Sequence, residues 1–417
     1  MFRFARILFA LVTGLAFVAA PVEAVKRRAF VTSVSGTGNL STWIGAGGLT
    51  GVAAADNVCR VRAVAGGLPN AATYRAWLST STTDAYCHVQ GLTGKKATGC
   101  NGASQPGAGP WYQANGATYF ATSLSNLTGT DGTIFFPVLW DEFFDPIPEA
   151  EPLYWTGTGS NGAGLSTHAC NDWSSGSAGA LGARGTALGT AVAWTYLGWN
   201  ECSVPHRLLC LEPGASEPQG RIGWQPGSLV FVTSATGSGD LSTWAEAGGA
   251  AGLEAGDNIC QYLAAAAHLP APESFVAWLS DAQVDARDRL TGNGPYRRVD
   301  SVRVADSKAD LLDGTSDNSI HVFEDGRYLT TAGDVRTGTD QDGVLKTPNC
   351  SDWTSGLNGD LGAKGVAGLS RSLAWTENAF INCSSDLRLY CFSNVVTIFW
   401  DGFELTGDTS HWSADTP

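Results

Sequence analysis

Along the chain, apolar residues first form one unbroken run and then settle into short alternating stretches. The run at residues 7–20 follows Arg3 and Arg6 and ends near the small residues Val22 and Ala24. That order of charge, apolar core and small-residue site predicts a secretory leader over residues 1–24, cut after Ala24. The run is shorter than the roughly 20 residues that cross a bilayer, and no later stretch is long and apolar enough to do so. Beyond it, β-branched residues alternate with small ones at FVTS, residues 30–33 and 231–234, and predict a strand in each place. Ala-rich segments at residues 53–65 and 254–267 have helical spacing and place Cys59 and Cys260 on helices. AWLS, at 76–79 and 277–280, reads as a buried strand. A long Gly, Asp and Asn-rich stretch with weak periodicity follows, and a hairpin-like pair of strands closes each half.

The elements come in two sets because the chain repeats itself. FVTSVSGTGNLSTWIGAGGLTGVAAADNVC (30–59) matches FVTSATGSGDLSTWAEAGGAAGLEAGDNIC (231–260) without a gap. YRAWLS answers FVAWLS, CNDWSSG (170–176) answers CSDWTSG (350–356), and Ala-Trp-Thr precedes the last two cysteines of each half. Copies of this length are domains, not the units of a solenoid. The expected layout is a leader (1–24), domain one (25–212), a Pro and Gly-rich linker (213–227), domain two (228–393) and a tail (394–417).

Composition refines the picture. Charged residues make up only 15% of a chain with 52 glycines and 15 tryptophans. This favours many short strands and tight turns around aromatic cores, a loop-rich α+β fold with one or two short helices per domain. The formal net charge is −14, and losing Arg3, Arg6 and Glu23 with the leader makes the remainder one unit more acidic. Such a chain repels a phosphate backbone or a polyanionic glycan, which argues against nucleic acid as a partner.

All ten cysteines follow the leader, as an oxidising compartment permits, and no zinc-ligand spacing is present. Four recur in each copy: Cys59, Cys170, Cys202 and Cys210 against Cys260, Cys350, Cys383 and Cys391. The two left over, Cys87 and Cys100, then join each other. For the recurring four, three pairings remain open.

The segment GLEAGDNICQYLAAAAHLPAPESFVAWLS (252–280) resembles the heart of endostatin, where a Gly-Ala-Asp-x-x-Cys helix leads into an Arg-Ala-Phe-Leu-Ser strand. WTGTGSNG (155–162) and RTGTDQDG (336–343) resemble its Gly-Ser-Asp-Pro-Asn-Gly region. Each precedes a Cys-x-x-Trp motif, and the blocks at Leu181 and Leu361 match its approach to the final cysteines. The resemblance covers nearly all of both repeats. The chain is thus similar to the bacterial endostatin-like family, within the C-type-lectin-like superfamily. The resemblance implies two tandem domains of that fold. It also implies an outer bond from first helix to last strand and an inner bond: Cys59–Cys210 with Cys170–Cys202, and Cys260–Cys391 with Cys350–Cys383. Zinc and heparin binding do not carry over, because residues 25–30 hold no histidine and the domains are acidic.

No catalytic motif stands out, and none of the six histidines occupies a repeated position. The chain reads as a secreted or surface-associated binding protein and not as an enzyme. By analogy with surface-exposed relatives, its partner is an extracellular matrix or host protein; the alternatives are a calcium-assisted glycan binder and a structural surface component. Trp111, Tyr112, Phe135, Phe136, Trp140, Phe143 and Phe144 crowd one loop region of the first copy. Trp111, Tyr112, Trp140 and Phe143 are its candidate ligand contacts, with core packing as the competing role. Oxygen-rich loops at 313–318 and 340–343 make Asp340 and Asp342 candidate calcium ligands, against a turn-forming role. Asp172 and Asp352 read as turn caps beside core Trp173 and Trp353. No other cofactor is implied. The tail IFWDGFELTGDTSHWS (398–413) resembles a terminus found on secreted proteobacterial proteins and reads either as a sorting signal or as a docked strand with a loose end.

Overall fold

The computed structural model describes residues 25–398, except Asp131, Arg221 and Ala332. The expected leader and residues 399–417 of the expected tail lie outside them. The chain is a mixed α+β structure with short helices, three sheets and five disulfides. No helix among the described residues is long and apolar enough to cross a membrane.

Each half runs through the same strands in the same order. The first has β1 (Arg27–Val31), β2 (Arg75–Ala76), β3 (Trp111–Gln113), β4 (Tyr119–Ala121), β5 (Leu153–Trp155), β6 (Leu181–Thr186), β7 (Trp199–Glu201) and β8 (Arg207–Leu211). The second has β9 (Gly227–Val232), β10 (Phe275–Ala277), β11 (Tyr296–Arg298), β12 (Arg303–Ala305), β13 (Asp334–Arg336), β14 (Leu361–Val366), β15 (Ala379–Asn382) and β16 (Tyr390–Thr397). The first sheet has the order β4-β3-β1-β8-β5-β6-β7, with β2 also on β8. The second half splits into β10-β16-β9-β11-β12 and β13-β14-β15. The split is slight: two parallel pairs join β5 to β8, whereas only the bridge Val335↔Arg388 joins β13 to β16.

Alternation along the central strands divides each half into two cores. Phe30, Leu208 and Cys210 face the helix Gly51–Ala65, while Ala29, Val31, Leu209 and Leu211 face a second cluster around Trp77, Trp111 and Trp194. With both faces covered, β8 is buried at every position, which its apolar run RLLCL accommodates. The helix Gly51–Ala65 buries Ala54, Ala55, Val58, Cys59 and Ala63, and the helix Gly252–Ala266 buries Ala255, Gly256, Ile259, Cys260, Leu263 and Ala264. Small side chains bring these helices close to the strands below. A Cβ on Gly256 would lie 3.1 Å from that of Ala277. Both helices begin two residues earlier than the spacing suggests. Gly51 and Gly252 adopt φ of 56° and 61°, open to glycine, and carry the chain past the carbonyls of Asp172 and Asp352.

One local expectation needs correction, and the two segments outside the repeats prove to be tied in. The closing strands of each half are not hairpins: β7 pairs with β6, and β8 with β1, β2 and β5. A fully buried strand needs neighbours on both edges, whereas β7, exposed at Trp199 and Glu201, suits a sheet margin. The linker is docked, since Ser216 N–H bonds to the Gly109 carbonyl, Glu217 N–H to that of Val25, and the Gln219 amide to that of Trp111. The tail starts as strand, since β16 continues past a bulge to pair Val396 with Ser228 and Thr397 with Gly227.

Both Cys-x-x-Trp motifs form left-handed turns. Cys170, Asn171, Asp172 and Trp173 have φ of 47° to 64°, and Cys350, Ser351, Asp352 and Trp353 have φ of 51° to 67°. For L residues that conformation costs roughly 1–2 kcal/mol each. Trp173, fully buried, donates to the Ser79 carbonyl, and the Asp172 carboxylate takes the N–H and hydroxyl of Ser81, each at 2.6 Å. Trp353 and Asp352 bond likewise to the Ser280 carbonyl and the Ala282 N–H. Those bonds and the adjoining disulfide hold the strained backbone in place.

Candidate functional site

Disulfides link the helices and turns to the strands. Cys59 on the first helix bonds to Cys210 on β8, and Cys260 to Cys391 on β16. Cys170 bonds to Cys202 and Cys350 to Cys383, tying each left-handed turn to the residues beyond the sheet margin. Cys87 bonds to Cys100 across the insertion particular to the first half, and no cysteine is free.

The candidate aromatic contacts divide into two groups. Trp111 is fully buried and donates its indole N–H to the Glu212 carbonyl; Tyr112 is 3% exposed and reaches Glu217. A contact role for these two is therefore corrected to packing. They sit on β3, an interior strand paired on both sides, where a large ring has no route to solvent. Trp140 and Phe143 lie together on a turn. Asp141 Oδ1 accepts the N–H of Phe143 (2.8 Å) and of Asp145 (3.0 Å), and the bridge Trp140↔Pro146 closes the loop. Glu142 is buried beneath it, bonded to the Ser33 N–H (2.9 Å) and to Arg62 Nε (2.5 Å). Thus anchored, the turn leaves Phe143 48% and Phe144 36% exposed. Arg62 lies over the Phe143 ring at 5.2 Å, Trp140 stacks on Phe144 at 4.5 Å, and Arg371 of the second half covers Trp140 at 5.7 Å. Phe135 is turned to the other half, edge-on to Tyr328 at 6.0 Å.

The acidic candidates share one turn. Asp340 Oδ1 accepts the N–H of Asp342 and Val344, which makes a tight turn, and Asp342 points to solvent. The one carboxylate trio found among the described residues is Asp306, Asp310 and Asp317, where Arg303 already bonds to Asp306 (2.5 Å) and Asp317 (2.8 Å). A guanidinium occupying that position supplies the positive charge itself.

Sequence reasoning missed the seam between the halves. Gly189 and Leu369 form an antiparallel bridge, with Thr190 N–H on the Gly368 carbonyl and Ser370 N–H on that of Leu188. Leu188 to Thr190 and Gly368 to Ser370 are the same positions of the repeat, so the halves meet about a local pseudo-twofold axis. Beside it, Arg298, fully buried, donates two hydrogen bonds to the Asp300 carboxylate (2.9 and 2.6 Å) and donates to the carbonyls of Ser319 and of Phe135 in the other half. His321 bridges Arg298 and Ser319 to the Ile134 carbonyl at 3.0 Å, and Tyr328 donates to Asp300. Burial alone would raise the Asp300 carboxyl; the charge and hydrogen bonds of Arg298, with Tyr328, hold it below its ordinary value. The corresponding first-half residues are Gln113, Asn115, Leu139 and Pro146. That contrast, charged in one copy and neutral in the other, was the available signal. Near the hub the seam leaves two hollows, of about 460 and about 480 Å³.

No family model and no curated protein match the chain.

Proposed function

We propose that the chain is a secreted, non-enzymatic binding protein of two tandem endostatin-like units with the C-type-lectin-like fold, and that it adheres to an extracellular protein through the turn at residues 140–146. The exposure of Phe143 and Phe144 on a turn held by buried Asp141 and Glu142 carries this reading. A rigid loop that presents aromatic rings loses little entropy on binding, and such rings dominate interface energetics. The repeat, the five bonds and the strand order support the family reading.

The test is a screen of the oxidised full-length chain on arrays of extracellular proteins and glycans, in calcium and in EDTA. Saturable protein binding that survives EDTA is the expected result. Binding to glycans alone, lost in EDTA, would replace the reading with that of a calcium-dependent lectin.

A further inference from the structure

The repeat allows one half to be used as a control for the other at a single cation. Arg207 and Arg388 occupy the same place, one residue before the final apolar strand residues, each a partner in the parallel bridge to Tyr154 or Val335. In the first half all three guanidinium nitrogens are engaged. Arg207 Nη1 donates to the Thr32 carbonyl at 2.8 Å, Nε to the Glu151 carbonyl at 3.1 Å, and Nη2 lies 3.6 Å from the Glu151 carboxylate. In the second half Arg388 Nη1 serves both the Thr233 and Ser234 carbonyls, while Nε and Nη2 have no hydrogen-bond partner among the described residues. The sequence position that aligns with Glu151 is Ala332, and its neighbours Thr330, Thr331 and Gly333 are not acidic either.

Arg388 lines the 460 Å³ hollow at the seam, together with Arg327, Thr130, Thr330 and Thr331. That volume lies within the range of small-molecule sites, which concentrate where domains meet. Arg388 is held in position, stacked at 4.8 Å on Phe323, with Arg327 at 5.7 Å from the same ring. The buried Glu324 carboxylate acts on Arg388 through its charge without a direct ion pair, since its two oxygens are taken by the N–H and hydroxyl of Ser234. A half-buried guanidinium at the wall of a hollow, with two donors uncommitted among the described residues, matches a carboxylate, which accepts two parallel N–H bonds. Threonine hydroxyls around it suit a ligand that carries hydroxyls. The net charge of −14 repels a polyanion, so the charge recognised is a single one.

We propose that the seam hollow binds a small hydroxylated ligand through one carboxylate, of the uronic-acid class, either as the free sugar acid or as the end residue of a glycan. The site is independent of the aromatic turn, which lies outside the hollow, and either reading can fail alone.

Titration calorimetry on the oxidised full-length chain tests it, with sodium glucuronate, sodium acetate, glucose and a glycan ending in one glucuronate as probes. Glucuronate is expected to bind saturably, acetate more weakly, and glucose not at all; comparing the free acid with the glycan end identifies the source. Thr331→Glu, which sets a protein carboxylate into the hollow and leaves Arg388 intact, should weaken glucuronate at least about tenfold, as should Arg388→Gln. Because Arg388 also holds two backbone carbonyls, Thr331→Glu is the deciding variant, with its melting temperature confirming the fold. No binding of glucuronate or of the glycan end, equal binding of glucose, or undiminished binding in folded Thr331→Glu would overturn the proposal.

Discussion

His321 makes the seam acid-labile. Its Nε2 donates to the Ile134 carbonyl at 3.0 Å, which leaves Nδ1 to accept from Arg298 (3.1 Å) and the Ser319 hydroxyl (2.9 Å). Only the neutral ring fits, since a proton on Nδ1 would face a guanidinium. Burial first, and the charge of Arg298 second, lower its pKa from 6.5 to about 3, against the raising effect of Asp300. The unfolded chain therefore takes up this proton as pH falls through 6.5, and the folded chain does so only near 3. Stability from this group is complete above pH 6.5 and declines between 6.5 and 3, by up to about 1.4 kcal/mol per pH unit. By pH 5 the loss reaches about 2 kcal/mol. His206, lowered to about 4 by burial and then by Arg184, adds a parallel loss in the first half. Asp300, depressed in the folded state, loses its contribution only below the ordinary carboxylate range. The perturbation is His321→Gln, whose amide can still donate to Ile134 but does not titrate. Denaturant unfolding with the disulfides intact, from pH 7.5 to 4.5, should show a flatter pH slope for the variant and convergence of the two curves at the acid end. Parallel curves, or a His321 ring signal that titrates near pH 6.5 in the native protein, would refute the reasoning.

Other consequences follow from the same contacts. Removing the outer bond as Cys59→Ala with Cys210→Ala opens a 151-residue separation and should cost about 5 kcal/mol, against about 3 kcal/mol for the 13-residue Cys87–Cys100 bond; comparative denaturation of the two double variants measures the difference. Gly365→Ala would place a Cβ 2.0 Å from the Trp375 carbonyl and should destabilise by about 1–3 kcal/mol, read as a lower denaturation midpoint, whereas alanine at Gly359, with open space around it, should be near neutral. Arg298→Met leaves Asp300 buried without its cation and should cost about 3–5 kcal/mol, with faster hydrogen exchange at the Thr190 and Ser370 amides as the sign that the seam has loosened.

Much of the fold was legible because it rests on local signals repeated twice. The FVTS strands and the two Ala-rich helices follow from periodicity and occur within a few residues of where the pattern places them, whereas AWLS is buried as expected but leaves the strand after its alanine, Ala76 or Ala277. The chemistry of the turns was legible too, since Asp172 and Trp173 have few roles beside a cystine. What was not legible depends on distant partners. Nothing in WNE or RLLCL says that β7 and β8 belong to different neighbours; that is decided by burial on both faces of β8. Trp111 and Phe143 look alike in a list of aromatics, and only the sheet around β3 separates core from surface. The linker's glycines and prolines mark it as a connection but say nothing of its partners, which lie on β3, at Gly109 and at Val25. The seam hub lay hidden for the same reason, with Arg298 and His321 reading as isolated charges until Ile134 and Phe135 were brought beside them.

The most direct test of the binding role compares the affinity of the intact chain and of Phe143→Ser with Phe144→Ser for the extracellular protein that the array selects. Both rings are part-exposed, and losing the Trp140 stack and the Arg62 contact should cost only about 1–2 kcal/mol in denaturant unfolding, leaving the variant folded. If the turn is the contact, its affinity falls about 20-fold or more, the loss of roughly 2 kcal/mol typical of a central aromatic. Unchanged affinity in the folded variant would contradict the role assigned to this turn.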